Sequence, residues 1–261
     1  MLKIFHFLLD RRRFLSYDRN MIFPLKGGIC GNYVRMVRGK VVKKPISYCY
    51  TPYFDNEGAI GAIEVWQILE DEVLGKLYPW QYVPAASMSS RIEVLNFQAL
   101  ANFSQDVITY HDVPFIYKLS ARLLEEGNVH RLAQSDLPNL YMCFDIYALE
   151  AFGERNSRMG LNFLRKRGAK IMIEGIERAP VDVIAKYRPD AYLIDYRYFN
   201  ESNKSMLSLF HMATKEFDPV FVVGNVVNKT NLQWFVDAGC TLFGGSAFSK
   251  PKKRLANVFA S

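Results

Sequence analysis

Two acidic residues follow two short apolar runs in the middle of the sequence. Glu174 comes directly after residues 169–173, and Asp195 comes directly after residues 191–194. Apolar runs this short, without a regular polar alternation, are typical of strands buried on both faces of a parallel sheet. The carboxyl end of a barrel strand is where such folds place their catalytic groups. The same carboxylates could instead cap the loops or helices that follow, with no ligand.

Strand and helix patterns alternate around these two residues. Residues 46–54 and 59–66 are rich in strand-forming side chains and flank the turn signal Asp55-Asn56-Glu57-Gly58, which predicts an antiparallel hairpin. The alternation that follows predicts an α/β protein with a TIM-type (β/α)8 barrel opened by an antiparallel strand pair. An open doubly wound sheet is the alternative, and the lack of GxGxxG and GxxxxGKS sequences disfavours it. The later predicted strands are residues 113–119, 139–146, 169–173, 191–194, 219–223 and 240–243, and the later helices are 90–103, 120–132, 202–217, 228–238 and 252–259; residues 67–86 are ambiguous.

Composition narrows the class of protein. The chain has 261 residues, of which 50% are hydrophobic, enough for one large domain with a full core, although length alone also permits two. No apolar run approaches the roughly 20 residues needed to cross a membrane. The arginines at 11–13 follow the apolar residues 4–9, which is the wrong order for a secretory signal. Four cysteines, Cys30, Cys49, Cys143 and Cys240, form no CxxC pair, which favours reduced thiols in a cytoplasmic protein.

The positive charge is concentrated at the N-terminus. Residues 1–50 hold eleven Lys and Arg residues and two acids, a net charge of +9. The rest of the chain holds 22 basic and 24 acidic residues. We therefore treat residues 1–45 as a basic N-terminal arm and residues 46–261 as the main domain. Such an arm can bind nucleic acid, an acidic partner or an anionic surface, and the alternative is a solvated leader.

Several sequence segments carry a resemblance to a known family. The best-matching pieces are residues 168–199 and 221–251, and the second of them contains GCTLFGGSAFSKP at residues 239–251. The predicted hairpin YTPYFDNEGAIGAIEVW at residues 50–66 matches as well. Together with the strand ends between them, over about residues 46–255, they resemble the EAL domain. That family comprises bacterial cyclic di-GMP phosphodiesterases and their inactive relatives. The resemblance implies a barrel of the EAL kind and a role in bacterial signalling.

Three carboxylates stand at family positions that serve phosphodiester hydrolysis. Active members use two divalent cations, which activate a water and stabilise the leaving oxygen. Such cations need several carboxylate or amide oxygens. Glu64 matches the glutamate of the signature motif, Asp145 stands for a later glutamate, and Glu174 stands for the first of two paired aspartates. These three residues are the predicted ligands of a vestigial Mg²⁺ or Mn²⁺ site, although no cofactor is expected to be required.

Other family positions are occupied by residues of the wrong chemistry. Lys118 stands where the family has a metal-binding asparagine, and its ammonium would repel a cation or partly replace it as a fixed charge. Removing members of a cooperative site costs orders of magnitude in rate, so we predict a catalytically inactive domain. The further departures are Ile68 for an arginine, Ala148, Gly224 and Val227 for acids, Gly175 for the second aspartate, Leu193 for a lysine and Gly244 for a glutamine.

These observations lead to one preferred function and three alternatives. We predict a catalytically inactive EAL-like domain that regulates by binding another protein. The alternatives are a cyclic di-GMP receptor, a residual cyclic di-GMP phosphodiesterase, and a nucleic-acid-associated protein acting through the arm. Gly244-Gly245 could cradle a phosphate through backbone N–H groups, or could simply permit a tight turn. The predicted ligand-binding residues are Glu64, Lys118, Asp145, Glu174, Asp195, Gly244 and Gly245.

Overall fold

A single sheet of nine strands organises the described part of the chain. The computed structural model describes residues 46–260, apart from residues 72–74, 89–90, 136 and 138. The predicted N-terminal arm therefore lies outside the described residues. The strands are β1 (Ile46–Phe54), β2 (Ile60–Asp71), β3 (Gly75–Leu77), β4 (Phe115–Leu119), β5 (Leu140–Asp145), β6 (Lys170–Glu174), β7 (Ala191–Asp195), β8 (Val220–Gly224) and β9 (Leu242–Gly244).

Eight of these strands close into a barrel. The sheet order is β1-β9-β8-β7-β6-β5-β4-β2-β3, and an additional pairing of β1 with β2 joins the two sides. β1 runs antiparallel to both of its neighbours, whereas the pairs from β2–β4 to β8–β9 are parallel. β3 pairs with the far end of β2 outside the closed ring. The predicted TIM-type barrel with an antiparallel first pair is confirmed.

Helices connect the parallel strands, as a parallel sheet requires. Their amphipathic faces cover the outside of the barrel, where buried side chains such as Leu100, Leu161 and Phe235 belong to the main core. In the described residues, no helix is both long and apolar enough to span a membrane. The helices are α1 (Pro79–Met88), α2 (Ile92–Thr109), α3 (Glu126–Ala133), α4 (Ile146–Phe152), α5 (Glu154–Arg165), α6 (Val181–Ile184), α7 (Ser205–Thr214), α8 (Leu232–Asp237) and α9 (Ala256–Phe259).

A second, smaller core fills the interior of the barrel. Alternate residues of a strand point to opposite faces, so every second side chain points inward. Tyr53, Cys143 and Leu193 are among these buried side chains, and each is no more than 5% exposed. The inward series continues through Glu64, Lys118 and the strand ends, so the polar residues form the next layer above this apolar one. The interior cluster consists of Tyr53, Ala62, Ile116, Cys143, Met172, Ala191, Leu193 and Val222.

The sequence pattern placed most elements correctly and some of their ends incorrectly. β1 has the predicted bounds, but β2 continues five residues beyond the predicted end at residue 66. Residues 67–86, which the pattern left undecided, contain the end of β2, β3 and part of α1. The last predicted helix shortens to α9, because Lys252 instead forms a backbone bridge with Tyr50 of β1.

Candidate functional site at the barrel mouth

The predicted site residues lie at one end of the barrel. We call this end, where the parallel strands finish, the barrel mouth. Asp145, Glu174 and Asp195 are the last residues of β5, β6 and β7. Glu64 lies within β2, and Lys118 is the second-last residue of β4. The parallel register therefore brings five charged residues from five adjacent strands to a common layer.

Lys118 connects two of the carboxylates directly. Its Nζ atom lies 2.6 Å from Oε2 of Glu174 and 3.4 Å from Oε1 of Glu64. The Glu64 side chain is only 4% exposed, whereas the Lys118 side chain is 44% exposed. Burial alone lowers the pKa of Lys118, but the charges of Glu174 and Glu64 outweigh it and hold that pKa well above the ordinary value. The ammonium is thus a permanent positive charge between two acids.

Tyr53 satisfies the other oxygen of Glu64. The Tyr53 hydroxyl donates a hydrogen bond of 3.0 Å to Oε2 of Glu64, and the tyrosine is 2% exposed. Burial, followed by the negative charge of Glu64, raises the pKa of Tyr53 well above its ordinary value, so the phenol keeps its proton. Glu64 therefore has a cation on one oxygen and a neutral donor on the other.

Asp145 acts mainly as a helix cap. Its Oδ1 accepts a 2.9 Å hydrogen bond from the backbone N–H of Ala148 at the start of α4, and its Oδ2 lies 3.7 Å from Nη2 of Arg178. Burial raises the pKa of the Asp145 carboxyl above its ordinary value despite these contacts. Arg178 also places its Nε atom 3.5 Å from Oε1 of the neighbouring Glu177.

Asp195 is held by groups of its own loop and of the loop that follows β8. Its carboxylate accepts hydrogen bonds from the backbone N–H of Arg197 at 2.9 Å and from Nη2 of Arg197 at 2.7 Å. Nδ2 of Asn225 donates a further 3.1 Å bond to Asp195. Burial raises the pKa of Asp195, but the Arg197 and Asn225 bonds dominate and lower it overall. The cap that the sequence allowed for Asp195 is therefore present.

We expect the Asp195→Ala substitution to lower the free energy of unfolding by about 1 to 2 kcal/mol. The substitution removes a cap and leaves the side-chain amide of Asn225 without the acceptor that it has in the parent protein. Urea denaturation measures this change. Asp182→Ala, at an exposed position in the first turn of α6, is the control and should cost no more than a few tenths of a kcal/mol. Equal costs for the two variants would contradict the contacts assigned to Asp195.

The absence of a Cβ atom at Gly244 and Gly245 lets two neighbouring groups lie close to their backbone. A Cβ atom on Gly245, which has φ of 142°, would lie 2.3 Å from the backbone nitrogen of Val226. The carbonyl of Gly244 accepts a 3.0 Å hydrogen bond from that same nitrogen. A Cβ atom on Gly244 would lie 2.7 Å from the ring of Tyr53. These contacts account for both glycines, and phosphate binding by their backbone stays a prediction.

The three predicted metal ligands at the mouth have partners within the protein itself. Within the ranges that the structure describes, no group of three or more His, Cys, Asp and Glu side chains is placed to hold a metal ion. The space between Glu64 and Glu174 contains the ammonium of Lys118, and Asp145 is engaged as a cap. A second positive charge at this position would be repelled. The predicted ligation by Glu64, Asp145 and Glu174 stays a prediction.

Three side chains of the site have no counterpart among the residues predicted from the sequence. The sequence predicts only a strand at Tyr53, and it predicts no role for Arg178 or Asn225. Asn225 has φ of 57°, a left-handed conformation that asparagine tolerates better than most residues, and this places its amide against Asp195. A usable signal was the pair of glycines at 224 and 244, because side chains missing from a barrel interior require another side chain to fill the space.

Comparison with known families identifies the barrel. The sequence model of the EAL domain matches residues 34–251. The chain belongs to the EAL domain family. The antiparallel first strand and the parallel ring are thus the fold of an EAL domain. No curated protein sequence matches this EAL domain.

Solved structures with the same fold have low sequence identity to this EAL domain. The Pseudomonas aeruginosa FimX EAL domain bound to c-di-GMP has a TM-score of 0.69 and 16% identity, over 80% of this chain and 91% of that one. The PaMucR phosphodiesterase in complex with c-di-GMP has a TM-score of 0.74 and 16% identity, over 87% and 99%. The Vibrio cholerae LapD S helix-GGDEF-EAL structure has a TM-score of 0.73 and 14% identity, over 85% and 57%, so this chain spans a little over half of that one.

Proposed function

We propose that this EAL domain is a catalytically inactive regulatory module of bacterial cyclic di-GMP signalling that acts by binding another protein. The observation that carries the proposal is Lys118, whose ammonium lies 2.6 Å from Glu174 and 3.4 Å from Glu64. Those two carboxylates stand at family positions for metal binding. We infer that a side chain of the protein supplies the positive charge there, so that no divalent cation is held.

The surrounding residues support the same conclusion. Two-metal hydrolysis requires several oxygen ligands and an activated water. Here Gly224, Gly175 and Leu193 provide neither an oxygen ligand nor a polar group that could orient water. A domain that keeps its packed barrel but lacks the groups for hydrolysis is expected where the function depends on a protein-binding surface. The proposal includes a cytoplasmic location, and it is supported by Cys49, Cys143 and Cys240, the cysteines of the described residues, which form no disulfide there.

Hydrolysis of cyclic di-GMP tests the inactive state. The purified full chain is incubated with cyclic di-GMP and either Mg²⁺ or Mn²⁺, and linear and cyclic nucleotides are separated by chromatography. PaMucR, which is described as a phosphodiesterase, is the positive control. We expect no turnover above the rate without protein. Metal-dependent turnover that disappears in a Glu64→Gln variant would refute the proposal.

Binding of a partner tests the regulatory half of the proposal. A tagged full chain should retain one protein in stoichiometric amount through size-exclusion chromatography. The two purified proteins should then reassemble, with a Kd that cyclic di-GMP does not change. A Kd that shifts with cyclic di-GMP would indicate a nucleotide receptor instead. An absence of any reconstituted complex would leave the module without the partner that the proposal requires and would contradict it.

A further inference from the structure

The segment after β9 is basic and has no acidic residue in its sequence. Residues 238–261 contain four Lys and Arg residues and no Asp or Glu, a net charge of +4. Residues 1–50 carry +9 and the whole chain carries +7, so residues 51–237 carry −6. The entire positive excess of the chain therefore lies in its two terminal segments. The four basic residues after β9 are Lys250, Lys252, Lys253 and Arg254.

A backbone bridge fixes this basic segment against β1. The N–H groups of Tyr50 and Lys252 each donate a 2.8 Å hydrogen bond to the carbonyl of the other residue. Burial raises the pKa of the Cys49 thiol, whereas the nearby positive charges of Lys76 and Lys253 act in the opposite direction, so both ammonium groups lie close to β1. Neither Lys76 nor any of the four cations after β9 forms an ion pair with a residue that the structure describes. We call these five residues the basic patch: Lys76, Lys250, Lys252, Lys253 and Arg254.

Three aromatic side chains lie beside the basic patch, and we call them the aromatic cluster. Cys49 is directly opposite Trp66 in the β1–β2 pair, so their side chains lie on the same face of the sheet. The rings of Trp66 and Trp80 meet edge to face, with 5.7 Å between their centroids. Trp80 also stacks on Tyr78, with 4.7 Å between centroids and 3° between the planes. Trp80 is nevertheless 53% exposed, so much of its indole is accessible from solvent.

Exposed cations beside exposed aromatic rings are the side chains that bind single-stranded nucleic acid. Lys and Arg neutralise the phosphates of such a strand, and its unpaired bases stack on aromatic rings. An acidic polypeptide would use the cations but does not require an exposed tryptophan. A duplex keeps its bases stacked on one another and offers none of them to Trp80. The combination of patch and cluster therefore favours a single strand.

We propose that the basic patch and the aromatic cluster form a binding site for single-stranded RNA or DNA. Lys250, Lys253 and Arg254, which are all exposed, contact phosphates, and Trp80 stacks on a base. This binding is a second activity of the chain, separate from the proposed role in binding another protein. It also differs from binding through residues 1–45 alone, because its contacts come from the barrel domain.

Fluorescence anisotropy of a labelled oligo(dT) of about 12 nucleotides, titrated with the full chain at several salt concentrations, tests the phosphate contacts. We expect the triple variant Lys250→Gln/Lys253→Gln/Arg254→Gln to reduce the slope of log affinity against log salt by roughly 2, because three phosphates lose their cations.

A control variant removes the same charge from exposed positions at or near the ends of α5 and α7, and it should leave that slope unchanged. Equal changes in slope for the two variants would show that net charge or residues 1–45 alone account for binding, and would overturn the site. The control is Arg155→Gln/Lys166→Gln/Lys215→Gln.

Trp80→Ala tests the stacking contact. Its affinity for oligo(dT) should fall at least about fivefold with an unchanged salt slope, because stacking on a base displaces no counterion. Tyr198→Ala removes another exposed aromatic ring and should leave the affinity within about twofold of the parent. Unchanged affinity in a folded Trp80→Ala variant contradicts the site. Poly-L-glutamate bound by the parent as tightly as oligo(dT) would indicate an acidic polypeptide instead, and would also overturn it.

Photo-cross-linking of the parent chain to oligonucleotide that contains 5-iodouracil does not depend on the folding of any variant. Peptide mass spectrometry should find cross-links at Tyr78 or Trp80. Cross-links confined to residues 1–45 would rule out the site on the barrel. An absence of any oligo(dT) binding refutes this site alone, whereas cyclic di-GMP turnover or the lack of a protein partner refutes the proposed function.

Discussion

Replacing Lys118 by methionine should lower the free energy of unfolding by about 2 to 3 kcal/mol. Removing one member of a buried ion pair costs about 3 to 5 kcal/mol, because the partner charge stays buried and unpaired. The Glu64 side chain is 4% exposed and meets that condition. The 44% exposure of Lys118 lets water screen part of the interaction, so we expect a value near the lower limit.

Urea denaturation at pH 7 measures this cost, and two further variants locate its origin. Lys215→Met removes an exposed lysine at the end of α7 and should change stability by less than about 0.5 kcal/mol. Adding Glu64→Gln to Lys118→Met should recover most of the loss, because the buried charge is then absent while Tyr53 keeps an acceptor. Failure of the second substitution to recover stability would show that Lys118 contributes by packing and not by charge.

Replacing Glu177 by glutamine should stabilise the protein at pH 8 by up to about 3 kcal/mol relative to its effect at pH 4.5. The Glu177 side chain is 5% exposed. In the part of the chain that the structure describes, its Oε2 has no hydrogen-bond partner. Burial is the main cause that raises the pKa of Glu177 from 4.5 to about 7.

The sign of the pH dependence follows from this raised pKa. Between pH 4.5 and 7 the folded protein keeps the Glu177 proton and the unfolded chain loses it, so the contribution of Glu177 to stability decreases as pH rises. The penalty is complete above about pH 7. Unfolding free energies of parent and Glu177→Gln should therefore converge near pH 4.5 and diverge by pH 8. Glu57→Gln, at an exposed position of the β1–β2 turn, should show no such divergence. A constant difference between parent and Glu177→Gln at all pH values would contradict the assignment.

The sequence was most informative where local pattern and tertiary environment agree. Strands β6 and β7 lie within one residue of their predicted bounds, because residues 171–173 and 191–194 are apolar and buried. β2 was predicted too short because Gln67, Glu70 and Asp71 interrupt that pattern. Gln67 is nevertheless buried, and its Oε1 accepts a 3.1 Å hydrogen bond from the Tyr117 hydroxyl. A tertiary contact of this kind carries no local signal.

The site was predictable as a set of strand ends but not as a set of contacts. The resemblance aligns Glu64, Lys118 and Glu174 with metal-binding positions of the family. The parallel register of their strands explains why the three side chains meet. The position of Tyr53 depends on the absence of side chains at Gly224 of β8 and Gly244 of β9, more than 160 residues further along the chain. No period or motif near Tyr53 contains that information. Asp145 and Asp195 act as caps because the loops after their strands turn immediately, and acidic side chains satisfy the freed N–H groups.

The pairing of β1 also determines when this barrel can form during synthesis. β1 is the first described strand, and it pairs with β2 next to it in sequence and with β9 at residues 243–244. The hairpin can therefore form as soon as it leaves the ribosome, whereas its other edge stays unpaired until β9 has been made. At about 5 to 20 residues per second, roughly 180 residues of further synthesis leave this edge exposed for about 10 to 40 seconds. During that interval the hairpin is a site for mispairing, and the nascent chain is the species that chaperones would need to protect.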